Sequence, residues 1–305
     1  MRVGAIDCGT NSIRLLVADV DGAELSPIDR RMIVVRLGEG VDRTGAFSDA
    51  ALGRTFAACE EYAAVLDELG VERLRFVATS ASRDVTNRDA FVDGVRDRIG
   101  VEPEVISGDQ EAALSFHGAV AGLPARLIAA PRLVVDIGGG STEFVLGDEV
   151  PTASVSVNIG CVRMTERHLR SDPPTPEQIS ATEADIAEAL DRAAGVVDWS
   201  SARSLVGVAG TVTTIVALVH GLPAYDPAEI HGRSASAREV AEWTDRLLAM
   251  PRAERAGLPV MHPGRIDVIG GGAMVLRAIL RRTGQDRVVA SETDILDGVA
   301  RALAV

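Results

Sequence analysis

The sequence predicts an α/β protein made of two related domains around a phosphate-binding cleft. Short apolar runs with strand character alternate with longer segments of helical periodicity along the chain. A turn of carboxylate, glycine and hydroxyl residues occurs twice, at residues 7–12 (Asp-Cys-Gly-Thr-Asn-Ser) and at residues 136–142 (Asp-Ile-Gly-Gly-Gly-Ser-Thr). Each copy lies between two apolar runs, which is typical of a tight turn joining two β-strands. Two such turns indicate two related halves that face each other across one phosphate chain.

The composition is that of an ordinary globular protein. The chain has 305 residues, of which 47% are hydrophobic and 25% charged, enough for two domains with cores of their own. No apolar run approaches the roughly 20 residues that span a bilayer. Met1 and Arg2 lead directly into the first predicted strand, which leaves no room for a signal peptide, so we expect a cytoplasmic protein that does not bind membranes.

Charge and cysteine content exclude several kinds of site. The net charge is −13, so nucleic acid is not an expected partner and a polyanion must be bound by a local cluster. All 31 basic residues are arginine, which excludes a phosphate-binding lysine of the Walker type. The three cysteines (Cys8, Cys59 and Cys161) are odd in number and widely spaced, which argues against a disulfide framework or a zinc site.

The first half reads as alternating strands and helices. Two strands flank the first turn and end near Val20. The following predicted elements are a β segment at 32–37, a helix after Ser48 that ends at Gly70, a strand at 74–78, a helix after Asn87, a strand at 104–106 and a helix at about 109–120. We place the first domain at residues 1–123, with the C-terminal helix, 291–305, packing back on it.

The second half repeats this layout after a proline-containing stretch that we take as the crossing between domains. We place the second domain at residues 124–290. Thr175 and Pro176 predict the start of a long polar helix that ends near Ala194. A strand at 205–208 leads into a glycine and hydroxyl segment that opens a helix, and 268–273 reads as another strand-to-helix glycine turn.

The repeated turn is a candidate phosphate site. Glycines let the backbone N–H groups approach phosphate oxygens, hydroxyls add donors, and a carboxylate at a strand end can hold a metal ion. Two plain β-turns are the alternative, but a paired pattern with a leading aspartate favours binding. The predicted phosphate ligands are Gly9, Thr10, Asn11, Ser12, Gly138, Gly139, Gly140, Ser141 and Thr142, with Gly210 and Thr211 at the later helix start, where a purely steric role is equally open.

Three charged residues outside the turns are further candidates. Arg83 follows a strand end, where it can clamp a phosphate or simply pair with Asp84. Glu111 lies at a loop-to-helix junction, where an acidic residue also complements the helix dipole without any other function. Strand parity cannot decide whether Glu143 converges with Asp136, because a turn of unknown geometry separates them.

Taken together, these motifs resemble the Ppx/GppA phosphatase family of exopolyphosphatases and guanosine pentaphosphate phosphohydrolases. The similarity extends over nearly the whole chain in eight ordered blocks. They include IDCGTNSIRLL at 6–16, ATSASRD at 78–84, SGDQEAALSFHGA at 107–119, VDIGGGSTEF at 135–144, GVAGTVTT at 207–214 and RIDVIGGGAMVL at 265–276.

The resemblance implies an actin-like, ribonuclease-H-like ATPase fold and assigns roles to several residues. Glu111 matches the expected catalytic base, and Asp136 and Glu143 match acidic residues that handle Mg²⁺ and water; we add Asp7 as a third metal candidate, with Mn²⁺ as an alternative ion. Gln110 departs from the family pattern, in which a second glutamate precedes the base. The extra C-terminal helical domains of longer members are not found in this sequence.

The resulting hypothesis is an exopolyphosphatase that releases terminal orthophosphate by water attack. The alternatives are a guanosine pentaphosphate phosphohydrolase, a regulator that binds guanosine tetra- or pentaphosphate without hydrolysis, and a sugar-kinase-like phosphotransferase. A homodimer is suggested by analogy alone.

Overall fold

The computed structural model describes residues 1–22 and 24–303, which fold into two compact units. Unit 1 comprises Met1–Gly118 and the segment from Ile295 onward, and unit 2 comprises Ala119–Asp294. Residues 304 and 305 of the predicted C-terminal helix lie outside the described residues. Within the described part of the chain, no helix is both long and apolar enough to cross a membrane.

Unit 1 is a five-stranded sheet with helices on both faces. Its strands are β1 (Arg2–Cys8), β2 (Ser12–Asp21), β3 (Glu24–Val34), β4 (Arg73–Ala78) and β5 (Glu104–Val105), in the order β3-β2-β1-β4-β5. Its helices are α1 (Val41–Thr44), α2 (Asp49–Glu68), α3 (Ser80–Arg83), α4 (Arg88–Ile99), α5 (Gly108–Ala121, which begins in unit 1) and the C-terminal helix, Ile295–Ala302.

The two faces of this sheet are covered by different helices because side chains alternate along each strand. Ile6 and Cys8 of β1 belong to the apolar cluster that also contains side chains of α2 and α4. Val3 and Ala5, on the opposite face, pack with Ile295–Ala302 of the C-terminal helix. Burial on both faces explains why β1 reads as a continuous apolar run.

Unit 2 repeats the same arrangement with one additional strand. Its strands are β6 (Arg132–Ile137), β7 (Thr142–Gly147), β8 (Pro151–Val157), β9 (Ser204–Val208), β10 (Ser234–Ser236) and β11 (Arg287–Ala290), in the order β8-β7-β6-β9-β11-β10. Its helices are α6 (Cys161–His168), α7 (Pro176–Ala194), α8 (Ala209–Val219), α9 (Pro227–Ile230), α10 (Ala237–Ala249), α11 (Arg252–Ala256) and α12 (Ile269–Thr283); the C-terminal helix is α13.

The strand order confirms the two related halves. In each unit three antiparallel strands are followed by two that run parallel to the first, namely β4 and β5 in unit 1 and β9 and β11 in unit 2. The predicted helix after Ser48 is confirmed, with the Ser48 side chain accepting from the Ala51 N–H. The predicted capping by Thr175 is also confirmed, and its capping box includes Gln178.

Two expectations about elements need correction. The β segment predicted at 32–37 overlaps the observed strand only at its end, because β3 spans Glu24–Val34; it is an edge strand whose first part is largely exposed and mixes polar with apolar residues. The glycines at 270–272 do not follow a strand. A 3₁₀ turn precedes them, and Gly271 lies inside α12, where an added Cβ would be 2.7 Å from Thr165 Oγ1 and 2.8 Å from the Cys161 carbonyl oxygen of α6.

Candidate active site

The predicted site residues of each unit lie at the carboxyl edge of its parallel strands. In unit 1 the Thr79 N–H donates to the Cys8 carbonyl, and the Ile106 N–H donates to the Ala78 carbonyl, so the ends of β1, β4 and β5 are adjacent. The first turn, Arg83 and Glu111 follow these three strand ends in sequence. This is the edge at which α/β sheets commonly bind ligands.

The first turn is fixed by hydrogen bonds that engage its carbonyl groups. The Gly9 N–H donates to the Ser12 carbonyl at 2.9 Å. The Thr10 carbonyl accepts from the Gly38 N–H at 2.9 Å, and the Asn11 carbonyl accepts from the N–H groups of residues 35 and 36 at 3.1 and 2.9 Å. Carbonyl oxygens repel anions, so their engagement by the protein favours phosphate at the N–H and hydroxyl groups of this turn.

The second turn reproduces this arrangement with a different partner. The Gly138 N–H donates to the Ser141 carbonyl at 3.0 Å, the equivalent of the bond that closes the first turn. The Gly138 and Gly139 carbonyls accept N–H groups from the start of α6, Cys161 at 3.0 Å and Val162 at 2.9 Å. The turn is therefore held against the first turn of α6, again with carbonyl groups that are already bonded.

Thr142, predicted as a phosphate ligand, has a role in packing. It is the first residue of β7, its side chain is fully buried, and its hydroxyl donates to the Ile159 carbonyl at 2.7 Å. Ser141 is 2% exposed. The glycines at 138 and 139 are more accessible, so their backbone is the part of the second turn that a ligand can reach.

Asp136 and Glu143 converge, which strand parity alone could not establish. They are direct cross-strand partners in the antiparallel pair of β6 and β7, and directly opposite residues project from the same face of a sheet. Both side chains are buried, at 6% and 1% exposure. Ser156 Oγ donates to Glu143 Oε1 at 2.6 Å. These hard oxygen donors are the type that Mg²⁺ prefers.

Asp7 occupies the equivalent position in unit 1 but has a different partner. Its direct cross-strand neighbour is Arg14, whose Nε donates to Asp7 Oδ2 at 3.0 Å and whose Nη2 contacts the same oxygen. The first turn is therefore preceded by an ion pair, and the second by two carboxylates. Among the described residues there is no group of three or more His, Cys, Asp or Glu side chains that could hold a metal ion.

Glu111 and Arg83 form an ion pair within unit 1. Glu111 lies in the first turn of α5 and is 8% exposed. Arg83 Nη2 donates to Glu111 Oε2, while its Nε donates to the Ile106 carbonyl at 3.2 Å. The last turn of α3 is itself held by Arg88, whose Nε donates to the Ser82 carbonyl at 2.9 Å. The candidate base is thus held in a defined position by an arginine on a neighbouring element.

Gln110 caps the helix that carries the candidate base. Ser107 Oγ accepts from the Gln110 N–H at 3.2 Å, and Gln110 Oε1 accepts from the Ser107 N–H at 2.9 Å. This is a capping box, in which glutamine and glutamate are equivalent acceptors. The departure from the family pattern therefore preserves the start of α5.

The helix start at Gly210 lies directly against the guanidinium group of Arg265. An added Cβ at Gly210 would lie 2.2 Å from Cζ of Arg265, and Arg265 Nη1 donates to Thr214 Oγ1 at 2.9 Å. Ala209, just before it, has a φ of +66°. A cation thus lies beside the predicted anion site of Gly210 and Thr211. Arg265 was not among the predicted site residues, because it belongs to a turn that is distant from Gly210 in the sequence.

The thiols near the two turns are poor nucleophiles. Burial raises the pKa of the Cys8 thiol well above its usual range. Burial also raises the pKa of Cys161 to about 11. Both groups are therefore protonated at neutral pH, which argues against a covalent thiol intermediate.

Comparison with known proteins gives consistent matches over the whole chain. The sequence profile of the Ppx/GppA phosphatase family matches residues 16–303. Exopolyphosphatase 2 of Mycobacterium tuberculosis is 49% identical over 316 residues, which cover 99% of this chain and 98% of that protein. The crystal structure of an exopolyphosphatase-like protein gives a TM-score of 0.96 at 45% identity, covering 99% of this chain and 97% of that one.

A more distant structure supports the same fold. The Ppx/GppA family member of Aquifex aeolicus gives a TM-score of 0.82 at 30% identity and covers 100% of this chain and 97% of its own. The predicted actin-like ATPase, ribonuclease-H-like fold is confirmed by these likenesses together with the repeated strand order.

Proposed function

The chain belongs to the Ppx/GppA phosphatase family, and from this membership we propose that it is an exopolyphosphatase, a hydrolase that removes terminal orthophosphate from inorganic polyphosphate. The observation that carries the proposal is Glu111, a buried carboxylate fixed at the start of α5 beside Arg83. The full-length match to a relative named exopolyphosphatase supports the choice of substrate.

In the proposed reaction a water molecule attacks the terminal phosphorus atom. A bond forms from the water oxygen to phosphorus, and the bond from phosphorus to the bridging oxygen breaks. Glu111 accepts the proton of the water, and the bridging oxygen leaves with its electron pair on the shortened chain. Most of the rate enhancement in such reactions comes from positioning and charge stabilisation.

Arg83 has two roles in this proposal. Its contacts with Glu111 and with the Ile106 carbonyl fix the base. A guanidinium has five N–H donors in a planar fork, so a phosphate oxygen can be a further acceptor. In each unit the N–H groups of its own turn are proposed as further phosphate donors, joined in unit 1 by the hydroxyls of Thr10 and Ser12.

Mg²⁺, or Mn²⁺ in its place, fits the donor set of Asp136 and Glu143. Magnesium sites often use one or two protein carboxylates together with water and substrate phosphates, so a cluster of three protein ligands is not required. When bound, the ion would neutralise charge on the phosphate oxygens. Asp136 and Glu143 would hold it, and Ser156 would orient Glu143 through its hydrogen bond.

The test is phosphate release by the native protein, Glu111→Gln and the control Asp109→Asn. Asp109 is exposed and lies in the same helical turn, so its variant also removes one negative charge from the start of α5. Loss of the base should lower kcat by about 10²- to 10⁴-fold with little change in KM. Near-normal turnover by Glu111→Gln would reject Glu111 as the base.

The same assay should compare short polyphosphate, long polyphosphate and guanosine pentaphosphate. If only guanosine pentaphosphate is cleaved, that nucleotide replaces polyphosphate as the proposed substrate and links the protein to the stringent response. If the nucleotide binds without release of phosphate, the protein is a regulator and not a hydrolase. We propose the cytoplasm as the location, because the three thiols are free and a reducing compartment keeps them so. The homodimer remains a prediction for sedimentation to test.

A further inference from the structure

Arg163 brings a positive charge to the second turn. It lies on α6, where its Nε donates to the Gly140 carbonyl at 2.5 Å and its backbone N–H donates to the Gly139 carbonyl at 3.0 Å. Because both bonds are made to the turn itself, the guanidinium group is held beside the glycines of the turn. Arg163 is only partly buried, so a ligand has access to the residue.

Two close contacts fix the position of α6. Gly160 precedes the helix and lies so near Gly139 that an added Cβ would be 2.4 Å from its carbonyl oxygen. Farther along the helix, Gly271 of α12 packs against Thr165, whose Oγ1 would be 2.7 Å from an added Cβ. A donor that is already held in place loses little conformational freedom when a ligand binds, and this favours affinity.

The bond from Nε uses only part of the guanidinium group. Nη1 and Nη2 carry four of its five N–H donors, so a phosphate oxygen can be an acceptor in addition to the partners that Arg163 has in the protein. A phosphate at the N–H groups of Gly138 and Gly139 would lie close to this cation, because Gly140 is the next residue in the chain. A charged donor forms a stronger hydrogen bond with phosphate than a neutral N–H does.

Unit 1 has a comparable arrangement at the same place in its topology. In each unit the chain returns to the turn after its third strand, β3 or β8, and donates to carbonyl groups of the turn. In unit 1 the returning segment contains Arg36, whose N–H donates to the Asn11 carbonyl at 2.9 Å. The φ of Arg36 is +48°, which is costly for a residue with a side chain, and such positions are concentrated at ligand sites. The recurrence of an arginine in this segment favours a role in anion binding.

We propose that Arg163 is a phosphate-binding residue that supplies a permanent positive charge to oxyanions bound at the second turn. The inference rests on the proposed function, because it assigns Arg163 to the binding of the polyphosphate substrate. It adds a charged side chain to the N–H donors of the turn. Arg163 lies 23 positions after Gly140 in the chain, so the glycine and hydroxyl motif does not include it.

The test is the binding of tripolyphosphate to the full chain carrying Glu111→Gln, which should slow turnover, measured by isothermal titration calorimetry. Arg163→Gln is the informative change, because the glutamine Nε2 occupies the same place along the side chain as the arginine Nε. It can still donate to the Gly140 carbonyl, but the charge and the Nη groups are lost. We expect the dissociation constant to rise by about 10- to 100-fold, the loss typical of a hydrogen bond to a charged group.

Arg167→Gln is the matched control. Arg167 lies one helical turn later on α6, where its Nη1 donates to Asp185 Oδ2 at 2.7 Å. The control removes the same charge from the same helix, and we expect it to change the dissociation constant by less than about twofold, because solvent and salt screen an exposed charge. Melting temperatures of all variants establish that they are folded.

The salt dependence of binding separates a charge contact from a structural role. Added salt should weaken tripolyphosphate binding less in Arg163→Gln than in the parent, because one charge contact has been removed. Arg163→Lys restores the charge without the planar fork, so it should bind more tightly than Arg163→Gln and keep the salt dependence of the parent.

Three results would overturn the proposal. They are binding by Arg163→Gln within about twofold of the parent, which would show that the arginine only holds the turn through Nε, a salt dependence that Arg163→Gln leaves unchanged, and no binding of tripolyphosphate by the parent. Phosphate release by the chain with Glu111 intact decides the hydrolase function separately. If that chain binds tripolyphosphate through Arg163 but releases no orthophosphate, the present inference stands and the proposed function is rejected.

Discussion

The contact between Gly160 and the second turn should be essential for activity. Gly160 precedes α6 and has an extended backbone, with a φ of −163°, so alanine is compatible with its conformation. An added Cβ, however, would lie 2.4 Å from the Gly139 carbonyl oxygen, 2.6 Å from its carbonyl carbon and 2.8 Å from the Gly138 carbonyl oxygen. These are backbone atoms and cannot rotate away as a side chain would.

The size of the effect follows from the displacement that is needed. An ordinary contact begins at 3.4 Å, so relief of a 2.4 Å contact requires the Gly139 carbonyl to move by 3.4 minus 2.4, or 1.0 Å. A misplacement of about 1 Å can cost about 10²-fold in rate, which corresponds to about 2.7 kcal/mol in the activation barrier. Overpacking also lowers the free energy of unfolding by about 1–3 kcal/mol.

The assay is kcat/KM for phosphate release together with the melting temperature. Gly53→Ala is the control, because Gly53 is exposed in α2 and no atom lies within 4 Å of an added Cβ. That variant should keep full activity and gain about 1 kcal/mol of stability from the helix propensity of alanine. If Gly160→Ala keeps kcat/KM within about twofold, or about 0.4 kcal/mol, the reasoning is refuted.

Two further predictions concern the helix caps of the two units. Gln110→Ala should lower the free energy of unfolding by about 0.3–1.5 kcal/mol by removing half of the capping box, whereas Gln110→Glu should retain it; equal losses in chemical denaturation would contradict the capping role. Burial, with a smaller contribution from Arg265, lowers the pKa of His262, whose Nδ1 accepts from the Gly264 N–H. Between the lowered pKa and the unfolded value of about 6.5, the unfolded state therefore binds more protons than the folded state does. The contribution of His262 to stability is complete above about pH 6.5 and is lost progressively as the pH falls towards the lowered pKa. Unfolding measured across this range should depend less on pH in His262→Asn, and an unchanged slope would contradict the assignment.

Much of the fold could be predicted because its central elements carry strong local signals. The turns of both hairpins contain glycine, which is depleted in strands, and Ser48 and Thr175 are typical N-caps at the starts of the two longest helices. The edge strand β3 was partly missed because charged and polar residues, together with Pro27, interrupt the apolar residues between Glu24 and Arg31, and such a mixture at an edge resembles a loop. Local pattern thus identifies buried elements more readily than exposed ones.

The candidate site was harder to predict because arginines from distant positions complete it. Arg83 contacts Glu111 across 28 positions, and Arg265 approaches Thr214 across 51, so nothing in the local sequence links either pair. Arg14 is only seven positions from Asp7 and was missed for another reason. The register of a hairpin depends on how its turn closes, and a shift of one residue would have placed Arg14 on the opposite face of the sheet from Asp7. The Gly9 to Ser12 hydrogen bond fixes that register, and the equivalent bond in the second turn brings Glu143 opposite Asp136. Because the two turns close in the same way, the residue seven positions after each aspartate faces it, which is Arg14 in the first hairpin and Glu143 in the second.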